Sequence, residues 1–251
     1  REWLLTKAFL HNIKQLRRAP DRTILFGQSI PRSCHGISFL LLRQCLAKLA
    51  AVCVRDVESH NRLRQAGVKA RLSFDAAFTL EANELALELA SERFRALGIE
   101  PSLAAVLSVR RFDSHYRHSN EQFLDKMEAL CKGLIAEGRL PVVMIQSRAY
   151  GADHDLEVAR TLQERVPTTA IFDPFLESLP VPSWQLAMAV LFLVDLVVAV
   201  RFHTAVLALA AGRVPYHIHY SNKGQDLCQR LKLPGCHLDR CDPATALPSI
   251  M

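Results

Sequence analysis

The chain alternates short apolar runs rich in β-forming residues with longer segments of helical period. Eight runs predict strands, at residues 23–26, 51–54, 70–73, 103–109, 141–146, 168–172, 196–200 and 214–219. Helix-length segments lie between most of them, at residues 36–49, 119–136, 153–165 and 204–211. Alternating strands and helices are typical of an open, mostly parallel sheet covered by helices, so the sequence predicts the α/β class.

A long helix is predicted at residues 81–95, which are rich in Glu, Ala and Leu. The stretch from Leu97 to Pro101 then breaks the helical pattern before a new apolar strand. We therefore expect two Rossmann-like domains: a partial N-terminal one with a linker helix over residues 1–97, and a second over residues 98–251, facing each other across a cleft. Because the given sequence begins with Arg1 rather than with an initiator Met, we expect the first domain to be truncated at its N-terminus.

The longest apolar run, residues 186–200, is interrupted by Asp195 and is shorter than the ~20 residues of a membrane span. It predicts a buried helix followed by a buried strand. Seven Cys occur without a CxxC pair, which fits a reducing cytoplasm best. The group Cys228, Cys236, His237 and Cys241 matches no common zinc spacing, so we expect no metal.

The net charge of +6 is carried mostly by Arg and suggests an anionic partner. The chain has no basic stretch interleaved with aromatic residues and no recognisable nucleic-acid motif, so we expect no nucleic-acid partner. A small anionic substrate and an acidic membrane surface are the two alternatives. For each basic cluster taken separately, a solvated helix face is a third explanation.

Polar residues at strand ends carry the functional information, because ligands of open α/β sheets bind beyond the carboxyl ends of the strands. These residues are Gln28, Ser29, Arg55, Asp56, Asp75, Arg110, Arg111, Gln146, Ser147, Arg148, Arg201 and His203. Arg binds phosphate and carboxylate in a bidentate manner and stays charged at any working pH. The set therefore predicts a site for a ligand with a phosphate and a carboxylate.

Several of these strand ends, in this order, resemble the polysaccharide pyruvyl transferase family. The matching stretches are residues 26–30, 54–59, 74–78, 109–110 and 201–203, followed by Gly212, Pro215, Tyr220 and Lys223. The resemblance spans roughly residues 23 to 233. The chain departs from the family where a Gly-Pro usually follows the Gly-Gln-Ser-Ile stretch, because here Pro31 comes directly after Ile30.

The resemblance implies a GT-B-like arrangement of the two domains and phosphoenolpyruvate as the donor substrate, with no separate cofactor. It further implies a sugar or lipid-linked oligosaccharide as acceptor, and a cytoplasmic enzyme of exopolysaccharide biosynthesis that is able to work at the inner face of the membrane. Arg201, His203 and one of Arg110 and Arg111 fall on the family's donor-site residues.

Transfer of an enolpyruvyl unit as a ketal needs a general acid near neutral pH, for which His is suited. His203 is the candidate acid, and the alternative is a structural hydrogen bond at a helix start. Arg201 is expected to hold the donor's phosphate or carboxylate, or else to pair with a carboxylate such as Asp195. Of the neighbours Arg110 and Arg111, at most one can point into the site.

Further residues complete the expected site. Asp75 is either the base for the acceptor hydroxyl or the cap of a turn. Tyr220 and Lys223 are expected near the donor, with surface exposure as the alternative, and Gln28 and Ser29 are expected to bind substrate. Asp56 is expected to start a helix as its N-cap, with Ser59 nearby. The polar loop at residues 115–118 suits sugar recognition, but a solvated loop is the favoured explanation.

Two other functions fit the same residues. A GT-B glycosyltransferase that uses a nucleotide sugar would hold a diphosphate with the same Arg and Lys side chains. A catalytically inactive scaffold of polysaccharide assembly would keep the fold without turnover, and the missing Gly after Ile30 favours it.

Overall fold

The computed structural model describes residues 7–112, 119–148, 154–175 and 179–251. The loop at residues 115–118, considered above for sugar recognition, lies outside these ranges. The chain divides into two compact units, residues 1–76 and residues 77–251. Each contains its own sheet, so no single sheet runs through the described part of the chain.

The first unit is a small α/β layer whose three strands are parallel. Its elements are α1 (Lys7–Leu16), β1 (Ile24–Gln28), α2 (Gly36–Leu46), β2 (Ala51–Val54), α3 (Val57–Gln65) and β3 (Arg71–Leu72). The strand order is β1-β2-β3, so β2 is central. Val52 and Val54 of this strand are buried with Leu46 and Leu63 from the helices, which forms the core.

The start of α3 is fixed by the predicted N-cap. The Asp56 carboxylate accepts hydrogen bonds from the Ser59 backbone N–H at 2.8 Å and from the Ser59 hydroxyl at 2.9 Å. The same Ser59 oxygen accepts the N–H of Ile30 at 2.8 Å. This cap therefore also holds the loop that follows β1, and the expected N-cap role of Asp56 is confirmed.

The second unit is a larger α/β layer with six parallel strands. Its elements are α4 (Glu84–Ala96), β4 (Ala104–Leu107), α5 (Asn120–Ala136), β5 (Leu140–Met144), α6 (Asp155–Arg165), β6 (Ala170–Phe172), α7 (Ser183–Leu193), β7 (Leu196–Ala199), α8 (Phe202–Ala210), β8 (Tyr216–His219), α9 (Asn222–Leu231), β9 (Gly235–His237) and α10 (Pro243–Ile250). The strand order is β6-β5-β4-β7-β8-β9. This is the order of a doubly wound Rossmann-like sheet.

The course of the chain through this sheet creates a switch point between β4 and β7. The chain runs outward from β4 through β5 to β6, returns through α7, and then builds β7, β8 and β9 on the other side of β4. All side chains of β4 and β7 are buried, with a hydrophobic core on each face of the sheet. The α/β class with parallel sheets is therefore confirmed.

The apolar run at residues 186–200 forms the end of α7 and then β7, as the pattern predicts. Within the described ranges, no helix is both long enough and apolar enough to cross a membrane. The sequence pattern misses β9, because its three residues follow directly after Pro234 and are too few to show a period.

Helix α4 packs in the second unit, although the sequence groups it with the first domain. Its Ala86, Ala90 and Phe94 are fully buried in the core, and the Phe94 ring lies 5.6 Å from that of Phe172, centroid to centroid. The division into compact units thus falls before α4 rather than after it. An amphipathic pattern shows that a helix has an apolar face, but not which sheet that face covers.

We expect Gly235→Ala to reduce the free energy of unfolding by about 3 kcal/mol or more, because nothing near the new methyl group can give way. A Cβ at this position would stand 2.2 Å from the carbonyl oxygen of His217 on the paired strand β8. Gly138→Ala is the control: it has a φ of 76° but open space around it, and should cost about 1 kcal/mol. Urea denaturation measures both. Equal losses would contradict the described pairing of β8 with β9.

Candidate functional site

A cavity of about 460 Å³ lies beyond the carboxyl ends of the central strands of the second unit. Parallel α/β sheets bind ligands at this kind of position, where the strand order reverses. Eight residues line it: Arg110, Gln146, Ser147, Arg201, Phe202, His203, Tyr220 and Lys223. Of the residues expected to form the site, the structure thus brings together Arg110, Arg201, His203, Tyr220 and Lys223.

Arg201 follows β7 and occupies the N-cap position of α8. Its guanidinium forms an ion pair with Asp155, and its Nε donates to the carbonyl oxygen of Val109 at 3.3 Å. The Arg201 side chain is 13% exposed and that of Asp155 is 0% exposed. The sequence suggested Asp195 as a possible ion-pair partner of Arg201. This suggestion is wrong, because Asp195 pairs with Arg213 at 3.0 Å instead.

Asp155 is the buried anion that organises two loops of the site. Besides Arg201, its carboxylate accepts the backbone N–H groups of Gln146 at 3.2 Å and Ser147 at 3.1 Å. Burial raises the pKa of Asp155 above its ordinary value, while the hydrogen bond and charge of Arg201 and the two N–H groups act in the opposite direction. The carboxylate thereby fastens the end of β5 and the start of α8 to the first residue of α6.

Ser108 likewise connects two segments of the site, at the ends of the two central strands. Its side chain is fully buried, and its Oγ accepts the backbone N–H of Val200 at 2.9 Å and that of Arg201 at 3.0 Å. The turn between β7 and α8 is therefore held from the neighbouring strand. Sequence reasoning missed Ser108, because a single Ser within an apolar run resembles an ordinary core position.

Arg110 and Arg111 point in different directions, as expected for neighbours on extended backbone. Arg110 is 7% exposed and donates to the hydroxyl of Tyr220 at 2.5 Å, and its guanidinium carbon lies 4.8 Å from the centroid of that ring. Arg111 instead pairs with Glu157 at 2.8 Å on the surface. Arg110 is therefore the member of the pair that lines the cavity.

His203 and Lys223 lie in the first turns of α8 and α9. The exposed His203 ring packs edge-on to Phe202, with 5.5 Å between the centroids, and the Lys223 Nζ stands 5.3 Å from the Phe202 ring centroid. Together with Arg110 and Arg201, they surround the cavity with three cations and one imidazole. Such a group can bind an anion with two charged ends and can move a proton beside it.

Gln28, Ser29 and Asp75 belong to the first unit and do not line this cavity. Arg55 connects two of them: its Nε donates to the Ser29 hydroxyl at 2.8 Å, and its Nη1 forms an ion pair with the buried carboxylate of Asp75. Gln28 is exposed at the end of β1. Arg55, which the sequence places at a helix start, is thus the residue that orders this second polar cluster.

Among the described residues, no group of three or more His, Cys, Asp or Glu side chains is arranged to hold a metal ion.

We expect Ser108→Ala to lower the free energy of unfolding by about 1–3 kcal/mol for each of the two buried N–H donors that lose their acceptor. Ser91→Ala is the matched control, because the half-buried Ser91 hydroxyl donates to a carbonyl of its own helix and its removal leaves no donor unsatisfied. Chemical denaturation of both variants checks this. If Ser108→Ala costs no more than Ser91→Ala, Ser108 does not hold the β7–α8 turn.

A comparison with known protein families identifies the family of this chain. The family model for polysaccharide pyruvyl transferase matches residues 2–222, which is most of the chain and includes four of the strand ends that line the cavity. No curated protein matches the chain significantly. The resemblance noted from the sequence is confirmed: the chain belongs to the polysaccharide pyruvyl transferase family, a family of transferases.

Proposed function

We propose that this protein transfers the enolpyruvyl unit of phosphoenolpyruvate to a sugar of a polysaccharide precursor, as a ketal. The observation that carries the proposal is the cavity in which Arg110, Arg201, Lys223 and His203 meet. Phosphoenolpyruvate has a phosphate and a carboxylate, and three cations around one cavity suit both groups. Family membership supports a transferase with a sugar or polysaccharide acceptor.

The cations have different parts in this proposal. Arg201 is held in place by Asp155 and Val109, so its planar fork is oriented before the donor arrives. Arg110 is steadied by Tyr220 in the same way. Lys223 adds a flexible positive charge from the first turn of α9, where backbone N–H groups also favour an anion.

His203 is the proposed general acid. Its imidazolium gives a proton to the methylene carbon of the donor, which turns the carbon that bears the phosphate ester oxygen into an oxocarbenium-like centre. A sugar hydroxyl then attacks that carbon, and loss of phosphate followed by attack of a second hydroxyl closes the ketal. We propose Asp75, which forms an ion pair with Arg55, as the base for the acceptor hydroxyl. Gln28 and Ser29 are proposed to contact the acceptor. The GT-B-like arrangement of two domains stays a prediction.

A lipid-linked acceptor would bring the protein to a membrane. The distribution of charge along the chain supports binding to a membrane surface. Residues 1–76 contain 14 Lys and Arg but 5 Asp and Glu, a net charge of +9, whereas residues 77–251 have a net charge of −3. A groove of about 780 Å³ in the first unit is lined by Arg17, Arg43 and Lys48. Leu40, 46% exposed, lies at the same groove. Basic and exposed apolar side chains side by side favour an acidic bilayer surface.

We expect Arg201→Lys and His203→Ala to separate binding from chemistry. Lys keeps the charge but loses the planar fork, so phosphoenolpyruvate should bind more weakly by about 1–3 kcal/mol, measured by calorimetry. Loss of the imidazole should reduce turnover by about 10² to 10⁴, with donor affinity and fold retained, measured as phosphate release with a panel of sugar acceptors. Arg213→Lys, which changes a surface ion pair with Asp195, is the control for both assays.

Three results would contradict the proposal. Tight binding of nucleotide sugars without binding of phosphoenolpyruvate would favour a glycosyltransferase. Binding of phosphoenolpyruvate without turnover on any acceptor would favour an inactive scaffold. Normal turnover of His203→Ala together with a lower melting temperature would make His203 structural.

We expect the protein to sediment with vesicles that contain phosphatidylglycerol, but not with phosphatidylcholine vesicles, and to be released by salt because the attraction is electrostatic. Arg43→Glu with Lys48→Glu should abolish this binding. Arg95→Glu with Arg160→Glu, which makes the same change of charge at exposed positions of the second unit, should leave it intact. Equal loss in the two double variants would show that net charge alone, and not this groove, determines binding.

A further inference from the structure

The buried imidazole of His217 lies between two segments that line the cavity of the second unit. His217 belongs to β8 and is 1% exposed. Its Nδ1 lies 2.7 Å from the carbonyl oxygen of Ala199, the last residue of β7. Because a carbonyl oxygen only accepts hydrogen bonds, Nδ1 carries the proton and Nε2 carries the lone pair. One end of the ring is thereby tied to the strand that leads into Arg201.

The other end of the ring meets the first turn of α9. A Cβ added to Gly224 would stand 2.8 Å from Nε2 of His217 and 2.8 Å from the Cβ of His219. Gly224 is buried and directly follows Lys223. The helix can therefore approach β8 this closely only because residue 224 has no side chain.

Nε2 of His217 is a spacer rather than a bonding atom. It has no hydrogen-bond partner in the part of the chain that the structure describes. Burial lowers the pKa of His217, against the effect of the hydrogen bond to Ala199, so the ring stays neutral at neutral pH. A neutral ring that is buried and held by one hydrogen bond occupies a fixed place in a close-packed interior. It thus sets the distance between the segments at its two ends.

We propose that His217 and Gly224 are positioning residues of the donor site, which set the distance between Arg201 and Lys223. The inference rests on the proposed function, because it takes these two cations as groups that bind phosphoenolpyruvate. Arg201 lies two residues after Ala199, at one end of the ring, and Lys223 lies next to Gly224, at the other. A small ligand that contacts both cations needs one particular separation between them.

A contact between α8 and α9 measures this separation. The Nζ of Lys223 stands 5.3 Å from the centroid of the Phe202 ring. Phe202 is the first residue of α8 and directly follows Arg201. Protons above the face of an aromatic ring resonate upfield, so the side-chain signals of Lys223 report the distance between the two turns without any ligand.

The proposal is tested by a double-mutant cycle on the affinity for phosphoenolpyruvate, measured by calorimetry. Gly224→Ala adds a methyl group where there is no room, so α9 should move away from β8. Phosphoenolpyruvate should then bind about tenfold more weakly or worse, as expected when a charge-assisted contact is lost. Lys223→Ala should have a similar effect. The double variant should bind no more weakly than Lys223→Ala alone, because the methyl group acts through Lys223.

Two further variants separate positioning from stability. Gly133→Ala is the matched control: its Cβ would stand 2.2 Å from Cδ1 of Leu247, where α5 packs on α10, and neither residue lines the cavity. It should lower the melting temperature but leave the affinity unchanged. His217→Asn adds no atoms, so it gives a second reading if Gly224→Ala folds poorly. Its amide can still donate to Ala199 but lacks the distal half of the ring, and phosphoenolpyruvate should again bind more weakly.

The outcomes distinguish this inference from the proposed function. Unchanged affinity in Gly224→Ala and His217→Asn, additive losses in the cycle, or an equal loss in Gly133→Ala would overturn the positioning role and leave the proposed function in place. If the unaltered chain does not bind phosphoenolpyruvate, the proposed function fails instead. Loss of the upfield shift of Lys223 in Gly224→Ala would then still support the spacing, and retention of that shift would overturn it.

Discussion

The geometry of the proposed donor site depends on one buried carboxylate. A charge removed from water costs several kcal/mol unless hydrogen bonds and an opposite charge compensate it, and Asp155 is 0% exposed. Its compensation comes from the guanidinium of Arg201 and the N–H groups of Gln146 and Ser147. These donors belong to two different loops, so Asp155 is stable as an anion only when both loops are in place. The order of the site is therefore coupled to the folding of the second unit.

This constraint also determines what the cavity offers to a ligand. Asp155 offsets the charge of Arg201 and fixes its orientation, while Arg110 is held by Tyr220 and Lys223 remains on a flexible stem. Donors fixed before the ligand binds need no reorganisation when charge develops during a reaction. A cavity with two oriented guanidinium groups and one ammonium group suits a small ligand with two anionic ends.

The sequence predicts those parts of the site and the fold that the local pattern of residues indicates by itself. Arg110, Arg201 and His203 were found because each comes directly after an apolar strand, and parallel strands end at the same edge of a sheet. Asp155 and Ser108 were missed, because their roles rest on partners about 46 and 93 residues away along the chain, a separation that periodicity cannot bridge. For the same reason α4 shows an apolar face, yet its place in the second unit follows only from the contacts of Phe94.

The position of each strand in the sheet explains where the cavity of the second unit lies. β4 and β7 are central and fully buried, so loops from both directions of winding surround their carboxyl ends and form a cavity. Among the described strands, β9 lies at the edge of the sheet and has a neighbour on one side only. The central position of β4 and β7 thus favours enclosure of a ligand, which the edge position of β9 does not provide.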